Sequence, residues 1–431
     1  MTQGAKTVLV VGPGPVTMSQ GPGFQYMAAR TCLYLRRKGY RVVVLEDNPA
    51  TLMDMGGVPE DIYMEPPVPE VVKRVAERTA SSAIWFFPAG KRGWDLARVL
   101  ASEGGLEDQA ISRDMEDRLL WVCGDRSLLR EELESAGLTN PDFRAVRNQR
   151  EGQEAAERIG FPLVVRPHFS AGGEGAGMAY NLEEYPVLLE EALRRSPTDE
   201  VLVERALVDF RKYVVVVMRD WAGRTRALPL FEQVEHLPLH DQDSVMVHPP
   251  LGAGREGLYA LAEAARRTAE AIDLVGLAEI KMAVSPGWEE LLVLDVNPHP
   301  WRHTPFAEAV TGWNLLGLHI ELVEGASLPE AGREEGANPS AYHYLSLPVH
   351  AGMTMEERES DSGLSCWAAG RFPVWGRRLE EACEKALGLV RRYPARFDPG
   401  TETALEGLRR SGKRANGVHA AVEVPGTGGT D

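Results

Sequence analysis

Short apolar runs alternate with a helical pattern in the first quarter of the chain. Residues 6–11 read Lys-Thr-Val-Leu-Val-Val, and the runs from Arg41 to Leu45 and from Ala83 to Phe87 repeat that strand-like character. A helical pattern between the first two runs is stopped by Gly39. Strands that alternate with helices predict a doubly wound, Rossmann-like α/β domain, which we place at residues 1–118.

The second half of the chain has longer strand patterns and two amphipathic helices. A pair of strands around the turn from Ser285 to Trp288 predicts a hairpin, because the turn separates two apolar runs directly. Helices are predicted at 258–272 and 379–393, where apolar positions recur with helical spacing. The predicted strands are 200–204, 213–218, 277–284 and 290–296.

The turn after the first predicted strand lacks the sequence that binds a dinucleotide cofactor. Glu46 follows the second strand, where an acidic side chain holds the ribose in dinucleotide-binding domains. The turn after the first strand, however, carries Pro13 and Pro15 in place of a Gly-x-Gly-x-x-Gly fingerprint. The sequence therefore does not favour NAD.

Composition limits the partners. The chain has 431 residues, a net charge of −16 and a pI near 5.2, so we expect two or three domains and no nucleic-acid partner. It contains no run of apolar residues long enough to span a membrane, and its four cysteines are scattered without metal-ligand spacing. These features predict a cytoplasmic protein with reduced thiols and no membrane partner.

A glycine-rich loop follows an apolar strand that ends in an arginine. Val164-Val165-Arg166 leads into a segment that contains four glycines by Gly177. Glycine lets backbone N–H groups approach phosphate oxygens without obstruction by a Cβ atom. The segment predicts a phosphate-binding hairpin, and a glycine-rich turn without a ligand stays the alternative.

Several motifs in one order resemble the large chain of carbamoyl phosphate synthetase, an ATP-grasp family. They cover about residues 6 to 395, and the aligned part is similar to the N-terminal half, which forms carboxyphosphate from bicarbonate and ATP. Besides the glycine loop, the motifs are Gly12-Pro13-Gly14-Pro15, Asp47-Asn48-Pro49-Ala50-Thr51, Glu65-Pro66-Pro67-Val68-Pro69-Glu70, Asp125-Arg126 and Asp295-Val296-Asn297-Pro298.

The resemblance implies an α/β fold in which a Rossmann-like pre-ATP-grasp domain precedes an ATP-grasp fold with a mobile lid. The first domain would occupy residues 1–118 and the ATP-grasp domain residues 119–395. The lid would lie at about 140–205 within it. Residues 396–431 are rich in Gly, Pro, Thr and charge, and we expect a polar, partly disordered tail.

The resemblance also implies an ATP site. Arg126 and Arg166 match arginines that hold phosphates and polarise the transferred group, so both are predicted to be catalytic, and Arg302 matches a further catalytic arginine. ATP-grasp chemistry needs positioning and electrostatic stabilisation rather than a protein nucleophile. The remaining predicted ATP contacts are Gly172 and Gly173 of the lid loop, Arg205 and Leu207 of the adenine hinge, Lys212, His240 and Lys281.

The predicted Mg²⁺ site departs from the family. Asp295 and Asn297 match two metal ligands, but Lys281 replaces a glutamine, in a chain with only eight lysines. Strand alternation puts Glu279 on the face of Lys281, so Glu279 is a third predicted ligand. A lysine repels Mg²⁺, at roughly 4 kcal/mol for each pair of unit charges about 4 Å apart near a surface. Lys281 therefore either replaces one metal ion or pairs with a neighbouring carboxylate.

Two functions remain open. Either the protein activates bicarbonate or another carboxylate as an acyl phosphate with a reduced dependence on Mg²⁺, or it is a catalytically degenerate relative that acts as a binding or regulatory subunit. The second hypothesis is based on family carboxylates replaced by cations at Arg205, Lys212 and Arg371, together with Lys281. The resemblance leaves an amidotransferase-type subunit or a second copy of the chain as the protein partner.

Overall fold

The computed structural model describes most of the chain between residues 6 and 412. The described residues are 6–14, 21–49, 51, 59–103, 110–111, 117–167, 175–196, 198–235, 244–328, 343–348, 371–392, 397 and 399–412. Among the helices in these segments, none combines the length and apolar composition that a membrane span requires.

The first domain is a parallel sheet with helices packed against it, as the alternating runs predict. Its strands are β1 (Thr7–Val11), β2 (Arg41–Glu46), β3 (Asp61–Met64), β4 (Ser81–Trp85) and β5 (Ala110–Ile111), in the order β3-β2-β1-β4-β5. The helices are α1 (Gly21–Arg37), α2 (Pro69–Thr79) and α3 (Gly90–Glu103). The central strands are buried on both faces, which explains why they read as continuous apolar runs.

Glu46 has a structural task in this domain. Its side chain is fully buried and accepts hydrogen bonds from Gln25 and from the backbone N–H groups of Asp47 and Asn48, at 3.0–3.1 Å. These contacts fix the loop after β2. They agree with the sequence argument against a dinucleotide, because the carboxylate is already engaged by the protein.

The second sheet is the lid sheet, made of four antiparallel strands. They are β6 (Phe143–Val146), β7 (Leu163–Pro167), β8 (Gly177–Ala179) and β9 (Val201–Arg205), in the order β6-β9-β7-β8. Helices α6 (Gln149–Ile159) and α7 (Tyr185–Arg195) cover it, and α4 (Asp117–Gly124) and α5 (Arg126–Ser135) precede it. The apolar side chains of this unit form a core of their own.

The third sheet is the floor sheet, whose seven strands run in the order β14-β13-β10-β11-β12-β15-β16. It includes the predicted hairpin, and its central strands are almost wholly buried. Helix α8 packs against β10, β11 and β13, and α10 packs against β13. The bounds are β10 (Arg211–Arg219), β11 (Thr225–Gln233), β12 (Met246–His248), α8 (Arg255–Ala271), β13 (Gly276–Val284), β14 (Leu291–Asn297), α9 (Thr304–Thr311), α10 (Leu315–Val323), β15 (His343–Pro348) and β16 (Arg371–Gly376).

Two helices end the described chain, and the second lies within the predicted polar tail. After α11 (Leu379–Arg392), residues Pro399–Gly412 form α12, which packs on α11. Leu405 and Leu408 are buried in a core shared with α11. They make a narrow apolar stripe at helical spacing, which the glycine and charged residues around them obscure in the sequence. The rest of the predicted tail, residues 413–431, lies outside the described residues.

Candidate active site

The floor hairpin brings four of the predicted side chains to one face. In the antiparallel pairing of β13 with β14, Glu279 lies opposite Asn297 and Lys281 lies opposite Asp295. Residues that are paired across strands point to the same side of a sheet. Lys212 on β10 is opposite Ala283, two residues beyond Lys281, so it shares this face.

Arg126 connects α5 to the floor hairpin. It is the first residue of α5, after Asp125, whose side chain caps the helix by accepting from the N–H groups of Ser127 and Leu128. The Nη2 atom of Arg126 lies 3.7 Å from Oδ2 of Asp295. The carboxylate of Asp295 raises the pKa of Arg126 above its ordinary value. The cap thus holds a predicted phosphate-binding arginine beside a predicted metal ligand.

Arg166 lies at the end of β7 and approaches a buried carboxylate on the neighbouring strand. Its Nε atom is 3.7 Å from Oε2 of Glu204, a distance too long for a hydrogen bond, and this Nε is buried without a hydrogen-bond partner. Burial lowers the pKa of Arg166, and the guanidinium groups of Arg126 and Arg130 lower it further. Arg166 therefore lies beside a carboxylate without a close ion pair to it.

Glu204 takes its closer ion pair with Arg130, a residue of α5. The Nη2 atom of Arg130 is 2.9 Å from Oε1 of Glu204, and the Arg130 guanidinium stacks on Phe143 at 4.3 Å. Burial raises the pKa of Glu204, but the guanidinium groups of Arg130, Arg166 and Arg126 outweigh it, so the pKa lies below its usual value. Three arginines thus meet two carboxylates, and one positive charge is in excess.

Sequence reasoning missed Arg130 and Glu204, although the chain carries a signal for each. Arg126 and Arg130 are four residues apart on a helix and so lie on the same side of it. Glu204 is a charged residue directly after a fully buried apolar run. A buried carboxylate requires a cation nearby.

Glu279, a predicted metal ligand, is engaged by protein groups in this structure. Its side chain is fully buried, and Oε2 pairs with Nδ1 of His303 at 2.8 Å. Oε1 accepts from the N–H groups of His303 and Thr304 and from the Thr304 hydroxyl, at 3.0–3.1 Å. The carboxylate therefore caps the N-terminus of α9, where negative charge is stabilised. Its role as a metal ligand stays a prediction.

The predicted catalytic residue Arg302 is buried just before this cap. Its guanidinium lies over the ring of Trp301 at 5.2 Å, and Trp301 contacts Phe24 of the first domain with ring centroids 3.7 Å apart. Because Glu279 fixes the next residue, His303, Arg302 is held between the first domain and the floor sheet. No described contact joins it to the arginine cluster on α5 and β7.

The hinge between β9 and β10 is tied to the floor hairpin. The Nη2 atom of Arg205 lies 2.6 Å from Oε2 of Glu290, and its guanidinium stacks on Phe210 at 5.3 Å. The N–H group of Ala206 donates to the Pro162 carbonyl oxygen, and Leu207 is half-buried. The three other predicted ATP contacts, Gly172, Gly173 and His240, lie outside the described residues.

Two of the predicted Mg²⁺ ligands, Asp295 and Asn297, lie on β14. Within the described segments, no group of three or more His, Cys, Asp and Glu side chains is arranged to hold a metal. Asp295 and Asn297 stand two residues apart on one face of β14, and the Asn297 Nδ2 atom is buried without a hydrogen-bond partner. Mg²⁺ is commonly held by one or two protein oxygens together with substrate phosphates. Asp295 and Asn297 therefore stay predicted ligands of this kind.

The parallel sheet of the first domain, the four-stranded lid sheet and the floor hairpin form the architecture of the ATP-grasp class. The carbamoyl phosphate synthase pre-ATP-grasp domain matches residues 4–112, and the carbamoyl-phosphate synthase L chain ATP-binding domain matches residues 125–331. The N-terminal section of the Aquifex aeolicus large chain is 31% identical over 417 residues, covering 94% of this chain and 75% of that one. The chain belongs to the carbamoyl phosphate synthase large-chain family.

Other relatives are much longer than this chain. The large chain of Rubrobacter xylanophilus is 32% identical over 340 residues, which are 78% of this chain but 32% of that one. Among solved structures, the biotin carboxylase domain of Hydrogenobacter thermophilus 2-oxoglutarate carboxylase, in complex with MgADP, ADP and bicarbonate, gives a TM-score of 0.69 at 15% identity and covers 90% of both chains. N5-carboxyaminoimidazole ribonucleotide synthetase from Thermotoga maritima gives 0.64 at 17% identity, over 90% and 98%. These identities show the fold alone.

The buried cap predicts that Glu279→Gln lowers the stability of the ligand-free protein. The amide removes the negative charge that the His303 ring and the start of α9 require, and such a hydrogen-bonded charge contributes about 2 kcal/mol. Chemical denaturation with and without Mg²⁺ measures the effect. Glu131→Gln, on the exposed side of α5, is the matched control. Full stability of Glu279→Gln without Mg²⁺, combined with weaker Mg²⁺ binding, would instead support the metal-ligand role.

Proposed function

We propose that the chain binds ATP between the lid sheet and the floor sheet and uses it to activate bicarbonate or another carboxylate as an acyl phosphate. The observation that carries the proposal is the excess positive charge beside the floor hairpin, where the buried Nε of Arg166 has no hydrogen-bond partner. Family membership supports ATP as the nucleotide.

The chemistry requires little covalent participation by the protein. An oxygen of the acceptor carboxylate attacks the γ-phosphorus of ATP, the new P–O bond forms, and the bond to the β,γ-bridging oxygen breaks with release of ADP. Arg126 and Arg166 would stabilise charge on the transferred group, since preorganised donors act where charge develops. Asp295 and Asn297 would hold Mg²⁺, which neutralises phosphate charge when bound.

We propose that Lys281, which replaces a glutamine of the family, adapts the metal site. Its β13 position is opposite Asp295, so its ammonium group belongs to the same face as the remaining metal donors. A fixed cation there would neutralise part of the phosphate charge that a second metal would otherwise neutralise. This altered site is consistent with the engagement of Glu279 by α9.

A non-catalytic binding or regulatory subunit is the second candidate. Two observations favour it: Glu279 is used as a helix cap, and Arg126 already contacts Asp295. In this alternative the cleft would keep its charge balance for assembly or ligand binding without phosphoryl transfer. An amidotransferase-type subunit stays a prediction from the resemblance, under either function.

Replacing Arg166 tests the placement of the phosphates. Arg166→Ala should weaken ATP binding about tenfold or more, because a charge-assisted hydrogen bond to a phosphate is lost. Isothermal titration with ATP and with ADP measures this. Arg147→Ala is a control on the lid sheet, since Arg147 forms an exposed ion pair with Glu200. Equal ATP affinity in the Arg166 variant and the parent would refute the placement.

Replacing Lys281 tests the proposed substitution for a metal ion. Lys281→Gln should make ATP affinity depend more steeply on Mg²⁺ than in the parent, because the fixed charge is gone while Asp295 and Asn297 remain. ATP affinity is measured across a Mg²⁺ titration at constant ionic strength, so that screening does not imitate the effect. The same Mg²⁺ dependence in both proteins would assign Lys281 to a structural ion pair.

A further inference from the structure

We infer that Arg130 is a positioning residue, which neutralises Glu204 and thereby leaves Arg166 available to the phosphates. The inference rests on the proposed ATP site and explains how the chain keeps its predicted phosphate-binding arginine out of a close ion pair. It concerns residues on two separate elements, α5 and the lid sheet. It assigns Arg130 no contact with the substrate.

The distances define which arginine serves Glu204. The Nη2 atom of Arg130 lies 2.9 Å from Oε1 of Glu204, whereas the Nε atom of Arg166 lies 3.7 Å from Oε2. Arg130 and Arg166 both lie near Glu204, but only Arg130 lies within 3 Å of its carboxylate. A carboxylate that already has one close cation attracts a second cation less strongly. The Arg130–Glu204 pair therefore determines how firmly Glu204 holds Arg166.

Arg130 is fixed in this role by its surroundings. Its side chain is only 4% exposed, and its guanidinium stacks on Phe143. The neighbouring residues Leu129 and Leu133 are buried in the core, which anchors this side of α5. A guanidinium that is packed in this way cannot turn toward a ligand in the cleft. Arg166, at 18% exposed, is the more accessible of the two.

Two arginines one turn apart on α5 pair with carboxylates on different elements. Arg126, at the start of the helix, reaches Asp295 on the floor hairpin. Arg130, one turn later, reaches Glu204 on the lid sheet. Without Arg130, Glu204 would be a buried carboxylate with no cation closer than Arg166. It would then draw Arg166 into a direct ion pair, and a phosphate would have to compete with that pair.

A stability cycle tests this competition without any ligand. The four proteins are the parent, Arg130→Met, Arg166→Met and the double variant, compared by thermal unfolding. Arg166→Met should lower the melting temperature by no more than about 1 °C in the parent, but by about 3 °C or more in the Arg130→Met background, where Arg166 is the last partner of Glu204. Equal shifts in the two backgrounds would overturn the inference.

Nucleotide binding gives the second test, with ATP as the probe. Arg130→Met should weaken ATP binding about tenfold, because Glu204 now holds Arg166. Adding Glu204→Gln to that variant should restore parent-like affinity, since the competing carboxylate is gone. Arg147→Met, which breaks an exposed ion pair on the lid sheet, should leave the affinity unchanged.

The two tests separate the inference from the proposed function. If the Arg130→Met/Glu204→Gln protein folds but binds ATP as weakly as Arg130→Met, then Arg130 acts in another way and the inference fails. If Arg130→Met does not fold, parent-like affinity of the double variant still supports the inference, and weak affinity overturns it. If the parent binds no ATP, the proposed function fails, whereas the stability cycle still decides whether Arg130 and Arg166 share Glu204.

Discussion

The site depends on an unequal balance of buried charge. Arg126, Arg130 and Arg166 are held around two carboxylates, Glu204 and Asp295, so the cluster carries positive charge before any ligand arrives. Burying like charges together is costly unless carboxylates lie between them. Here α5, the lid sheet and the floor hairpin lie next to one another, so that Glu204 and Asp295 lie between the three arginines. The same charges that organise the cleft are those that would receive phosphates.

The floor hairpin combines predicted site residues with a lysine on one face of an inherited fold. Asp295 and Asn297 keep positions that match metal ligands, whereas Lys281 introduces a cation on the same face. Glu279, on the same strand, now stabilises the start of α9 through His303 and Thr304. A fold shared with distant carboxylases therefore does not define the reaction, because the reaction depends on such side chains.

The sequence predicts the fold correctly where the local pattern of apolar residues agrees with how the segment packs in the protein. The apolar runs of the first domain and the hairpin around the turn at 285–288 form the predicted strands, because buried strands need continuous apolar residues. The strand alternation that unites Lys281 with Asp295 also holds. Helix α12 escaped prediction because its two buried leucines are surrounded by glycine and charge.

The side-chain partners in the site could not be predicted from local pattern. Whether Glu279 faces a metal or a helix terminus depends on His303, which is 24 residues away. The pairing of Arg130 with Glu204 likewise joins a helix to a distant strand. A strand pattern tells which face a side chain occupies, but the partner on that face comes from another element. For this reason the phosphate arginines were expected from resemblance, whereas the residue proposed to position one of them was not.

The central claim is that this charged cleft transfers the γ-phosphoryl group of ATP to bicarbonate, the first of the proposed acceptors. The most direct measurement incubates the protein with Mg²⁺, ATP and heavy-oxygen-labelled bicarbonate and analyses the released phosphate by mass spectrometry. Decomposition of an acyl phosphate formed from bicarbonate leaves one bicarbonate oxygen on phosphorus. Our account predicts that labelled inorganic phosphate and ADP are released in equal amounts. Tight ATP binding with no labelled phosphate would contradict it and would favour the non-catalytic relative.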